Sequence, residues 1–123
     1  LAGLLHDASE AYLADIASPV KQLLPDYREL EEGVMTNISI KFKLPYGFDK
    51  DADIKKADWS QLKSEAFYLL PTQGKEWYFP EGLVEGFVPQ GISPEIAEKL
   101  FMDRYNELTQ INSSQRQLTG EFK

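Results

Sequence analysis

The apolar residues of this chain recur at intervals of three and four, and nowhere do they alternate with polar ones over a strand-length run bounded by turn residues. That rhythm suits helices with one buried stripe, and no self-similar period points to a repeat array. Prolines and glycines cut it into pieces. Leu1, Leu4, Leu5, Ala8, Ala11, Tyr12 and Ile16 predict a helix over residues 1–17, stopped by Ser18-Pro19. A turn or short helix leads to Leu24-Pro25. Asp26, with Glu29 as its capping-box partner, then opens a second helix toward Phe42. Pro45-Tyr46-Gly47 makes a turn, and Asp49, Asp51 and Asp53 offer caps to a third helix that ends at Pro71. Residues 72–92 hold prolines and glycines among Trp77, Tyr78, Phe79 and Phe87, and read as one long irregular aromatic connection. Ser93 caps and Pro94 opens a fourth helix through Leu108, which the polar tail from Asn112 to Lys123 extends or lets fray. The expected fold class is all-α.

With 123 residues, this stretch of chain is expected to form a single domain around one hydrophobic core. Trp59, Tyr68, Phe101 and Tyr105 are expected in that core, and the stretch Trp77 to Pro80 is expected to pack on the helices, with stacking on a nucleobase as the alternative. Acidic residues number 20 against 13 basic ones, a formal charge of -7, which is the wrong sign for gripping a nucleic-acid backbone. A small phosphorylated ligand stays open, because one cation bound among carboxylates reverses the local field. The chain has no cysteine, so disulfides, thiolate zinc sites and thiol nucleophiles are excluded. No apolar run is long enough to span a bilayer and no signal-peptide pattern occurs, so a cytoplasmic location is expected.

The only histidine, His6, is followed by Asp7, and on a helix Glu10 would share their patch one turn along. Imidazole and carboxylate are the donors that hold Mn, Fe, Co, Ni, Zn or Mg where no thiolate exists. The plainer reading of the pair is a half-buried histidine satisfied by Asp7 or by a backbone carbonyl.

The words Leu4-Leu5-His6-Asp7-Ala8-Ser9-Glu10, Asp15-Ile16, Pro19-Val20-Lys21 and Lys55-Lys56-Ala57-Asp58 resemble those of the HD-domain metal-dependent phosphohydrolases, most of all their bacterial and phage 5′-nucleotidase-like branch. The resemblance is dense from Leu1 to Lys21, looser from Asp53 to Pro71, and absent beyond. It implies a helical HD-type bundle in which His6, Asp7 and Asp58 bind a divalent metal, with Asp51 or Asp53 as rivals for the distant position. Asp58 is preferred because Ala57 and Leu62 draw it toward the core. Glu10 is implied as a water-orienting or proton-donating group, Asp15 as a catalytic or sugar-binding carboxylate, and Lys21 as a phosphate-binding cation. The family's upstream metal-binding histidine has no counterpart here. A segment carrying it is expected ahead of the uncapped start at Leu1, making this an N-terminally truncated domain.

The implied reaction is hydrolysis of a nucleoside 5′-monophosphate. A deoxynucleotide triphosphohydrolase and an alarmone hydrolase share the same doublet, and a non-catalytic helical module with a remnant site is the reading from another class. A homodimer is expected from the wide apolar arc of the fourth helix and from the family's habit of pairing.

Overall fold

A computed structural model describes the backbone of residues 1–118 and the side chains of residues 1–110. The described residues form four α-helices: α1 Ser18–Lys21, α2 Pro25–Phe42, α3 Ala52–Leu69 and α4 Pro94–Leu118. No strand occurs among the described residues, and the all-α expectation holds.

The N-terminal segment departs from its predicted single helix. It forms two 3-10 turns, Gly3–Leu5 and Ala8–Ala11, joined at His6 and Asp7, and Asp7 leaves helical space there with φ -113° and ψ 17°. The reason lies in the pattern itself. Ala2, Leu5 and Ala8 stand three apart, and a 3-10 turn of three residues aligns such positions on one side as well as an α-helix does. All three pack into the main core with Met35, Ile38 and Phe48.

Pro25 sits in the first turn of α2, where its missing N–H costs nothing, and the Asp26–Glu29 capping box does not form. The helix ends on Lys43, whose φ of 55° turns the chain out; Leu44 N closes the turn on the Ser39 carbonyl at 2.9 Å. Gly47, at φ 71°, then lets the chain reverse so that Phe48 plugs the core. Asp51 caps α3 by accepting from Asp53 N at 2.9 Å and Ile54 N at 3.2 Å. The buried phenylalanine and the cap together set the direction of α3.

The aromatic connection packs back on α3, as expected. Trp59 meets Phe79 edge-on at 6.2 Å, and Phe79 stacks on Trp77 at 6.1 Å. Gly74 lies against Ala66, where an added Cβ would come within 2.9 Å of the alanine methyl. The expected core places of Trp59, Tyr68 and Phe101 are not realised, since all three stay exposed. Tyr105 is half-buried, edge-on to Phe42 at 6.1 Å. In each case the helix presents the ring at the margin of a thin core. Ser93 Oγ accepts from Ile96 N at 3.4 Å as the predicted cap of α4, and the helix extends into the polar tail as far as residue 118. The expectation for residues 119–123 lies outside the described residues.

Candidate active site

The 3-10 joint and the first two turns of α3 face each other, and His6 and Asp58 meet between them. His6 Nε2 lies 3.7 Å from Asp58 Oδ1 and His6 Nδ1 lies 3.8 Å from Asp7 Oδ1. The ring is oriented by its backbone: Nδ1 is 2.9 Å from the Gly3 carbonyl, a distance at which it donates. That bond orients the ring and turns Nε2 toward Asp58. The plainer reading of His6 thus describes Nδ1, while Nε2 faces Asp58. Asp58 is reached from the surface; its side chain is 59% exposed, so the pull toward the core expected from Ala57 and Leu62 is absent. Its rivals are used elsewhere. Asp51 caps α3, and Asp53 faces a neighbouring groove.

A cleft of about 360 Å³ collects most of the residues singled out in the sequence: His6, Asp7, Glu10, Lys21 and Asp58 all line it. Asp15 does not. It falls in the irregular stretch between the second 3-10 turn and α1. Its charge still reaches Glu10. Burial, then the carboxylates of Asp15 and Asp7, hold the Glu10 carboxyl above the usual glutamate range, against the opposing pull of Lys21.

Lys21 is more constrained than a free phosphate-binding cation. Its Nζ donates to Glu31 Oε1 at 2.7 Å, both side chains are three-quarters buried, and Tyr27 lies under the ammonium at 5.7 Å. The bond to Glu31 raises the Lys21 pKa over the opposing effect of burial. Because the folded value is the higher one, this pair stabilises the fold fully below the ordinary lysine pKa and loses its contribution as pH rises through the raised value. Lys21→Met, which strands the Glu31 carboxylate, is expected to lower stability by about 1 kcal/mol at neutral pH in urea titrations. The loss should vanish at strongly alkaline pH.

Glu31, Lys55 and Asp49 also line the cleft and were not expected there. Lys55 had a signal, since it stands three residues before Asp58 on one helix face. Glu31 had none beyond being acidic. The census of charge decides the chemistry: five carboxylates, Asp7, Glu10, Glu31, Asp49 and Asp58, share the cleft with the two ammonium groups of Lys21 and Lys55. An anionic ester enters such a field only with a cation.

The donors fit a divalent ion by type: an imidazole nitrogen beside several carboxylates. Their spacing is open. Among the described residues no three His, Asp or Glu side chains draw together closely enough to enclose an ion. His6 and Asp58 stand ready as two ligands, while Asp7 approaches the ring from its other nitrogen.

Comparison with known proteins places one relative beside this chain. It is 37% identical over 110 residues to a protein of Escherichia coli (strain K12) named "Uncharacterized protein YfdR", an alignment covering 88% of this chain and 61% of that protein. The chain thus spans less than two thirds of its relative's length. No protein-family model matches the sequence, and no solved structure matches it. No helix among the described residues is long and apolar enough to cross a membrane.

Proposed function

We propose that the chain carries the catalytic cleft of a metal-dependent phosphohydrolase that cleaves the phosphomonoester of a nucleoside 5′-monophosphate. One observation carries this reading: His6, Asp7, Glu10, Lys21 and Asp58 of the HD-like words line a single acidic cleft in which a ring nitrogen of His6 faces Asp58. A divalent ion held by His6 and Asp58, with Asp7, would supply positive charge for the phosphoryl oxygens and acidify a bound water.

The protein's own groups do the rest. Lys55 adds a positive charge at the rim, and Lys21, fixed by Glu31, presents another at a set position. Glu10 keeps its proton to higher pH than an ordinary glutamate, which suits it to protonate the leaving 5′-oxygen as the P–O bond to that oxygen breaks and the bond from water forms. Asp15 acts on Glu10 through its charge. A cytoplasmic location and pairing into a homodimer belong to the same proposal.

The test is metal content together with turnover. Purified protein is expected to hold a stoichiometric divalent ion and to release inorganic phosphate from nucleoside 5′-monophosphates, with activity lost on chelation and restored by added metal. Triphosphate release from deoxynucleotides, or pyrophosphate release from guanosine alarmones, would keep the site and change the substrate. A protein that neither binds metal nor cleaves any of these esters would be a binding module.

A further inference from the structure

A second cavity lies on the other side of the His6–Asp58 pair. This groove encloses about 700 Å³ between Ile54 and Ala57 of α3 and Val84, Gly86 and Phe87 of the aromatic connection. The surface it exposes is mostly apolar, in contrast to the acidic cleft, with Asp53, Gln61 and Glu85 also on its walls, and His6 and Asp58 line both cavities. The two cavities therefore meet at the pair proposed to do the chemistry.

The loop wall of the groove is a built feature. Gly86 N donates to Ser64 Oγ at 2.9 Å, Phe87 N donates to Gln61 Oε1 at 3.0 Å, and Gln61 Nε2 donates back to the Phe87 carbonyl at 3.3 Å. Glycine is required at the contact, since a Cβ at position 86 would come within 2.7 Å of the Ser60 carbonyl oxygen. This pinning fixes the backbone of Phe87 while its side chain stays 88% exposed. A large ring held on a tethered loop beside a cavity is a platform for another flat ring. On the α3 side, Ser60 lies behind the groove wall. It is 3% exposed, and its hydroxyl, shielded from solvent, has no hydrogen-bond partner among the described residues. A buried hydroxyl left without a partner costs free energy that a donor or acceptor on a bound molecule returns.

We propose that the groove seats the base of the nucleotide, with Phe87 against its face and Ser60 at its polar edge. The proposal rests on the phosphohydrolase reading for the phosphate end of the substrate. A planar heterocycle with a hydrogen-bonding rim matches a mostly apolar slot backed by one unsatisfied hydroxyl, and the sugar then spans the His6–Asp58 junction toward the acidic cleft. Phe87 and Ser60 are on this account the residues that distinguish a nucleotide from a sugar phosphate.

Ribose 5-phosphate keeps the ester and lacks the base, so it serves as the reference substrate. In the intact protein, Phe87→Ala is expected to raise KM for purine and pyrimidine nucleoside 5′-monophosphates about tenfold. Ser60→Ala, which changes the helix least, should raise it severalfold. Both variants should leave kcat/KM for ribose 5-phosphate unchanged. Hydrolysis that continues with unaltered nucleotide KM in both variants overturns the proposal and leaves the phosphohydrolase reading standing. Titration with adenosine and thymidine, which carry no phosphate, separates the opposite case. Nucleosides that bind, and bind about tenfold more weakly to Phe87→Ala, support the groove even where no ester is cleaved. A protein that binds neither nucleoside and cleaves no ester overturns both readings.

Discussion

Asp58→Ala and His6→Ala should each lower phosphate release about a thousandfold or more and abolish stoichiometric metal binding, while helical circular dichroism stays unchanged. Both parts of this outcome follow from geometry. The two side chains approach to 3.7 Å from separate elements, so each removes one of two facing donors. Neither holds the fold: Asp58 is more than half exposed, and the core of Leu5, Met35, Ile38 and Phe48 does not include them. The metal then reports on the site apart from turnover. A divalent ion that binds only the folded protein raises its melting temperature, and that rise should appear in the wild type and be absent from Asp58→Ala. Asp7→Ala sharpens the test. Asp7 lies off the nitrogen that already faces Gly3, so in this structure it is the most weakly placed of the three ligands. If Asp7→Ala matches Asp58→Ala in both metal binding and turnover, Asp7 joins the ion in the working enzyme; if it keeps the ion, His6 and Asp58 suffice to hold it. Wild-type activity in all three variants would remove the mechanism.

How much of this was readable in the sequence depends on how unambiguous each signal is. Ser93-Pro94 located the start of α4, and Asp51 was one of three caps offered to α3, because a capping oxygen has one favourable place in a helix; α2 instead opens on Pro25, ahead of the cap expected at Asp26. The N-terminal helix failed because spacing by three serves α and 3-10 geometry alike, and the choice between them was made by Leu5 reaching α2 rather than by any local signal. The failure cost little at the site, since a joint at His6 and Asp7 delivers both side chains and Glu10 to one cleft, as a helix would have done. Glu31 and Ser60 were invisible for a different reason. A helical Glu and a helical Ser are ordinary residues until tertiary structure sets one against Lys21 and buries the other without a partner.

Glu10→Gln should stabilise the protein at neutral pH while stopping turnover, and the joint result separates catalysis from a bland surface role. Burial and the charges of Asp15 and Asp7 hold the folded pKa of Glu10 above its unfolded value. For a carboxyl group so shifted, the folded state binds the proton more tightly. Its contribution to stability is fullest below the ordinary glutamate pKa and is lost as pH rises through the folded one. As pH rises through that value the wild type increasingly carries an anion among like charges, which glutamine removes. The two proteins should have equal unfolding midpoints near pH 3.5, and the variant should lead increasingly as pH rises. A surface glutamate without strain would show no such divergence. In turnover, the proton needed by the leaving oxygen sets an alkaline limb on kcat, which should steepen where Glu10 ionises and be absent from whatever residual activity Glu10→Gln retains. Asp15→Asn tests the same coupling from outside the cleft: with one of the neighbouring charges gone, Glu10 should ionise at lower pH and the limb should shift the same way. Stability gained where activity is lost is the mark of a residue kept for its chemistry. A Glu10→Gln protein no more stable than the wild type at pH 7, and as active, would return Glu10 to the surface.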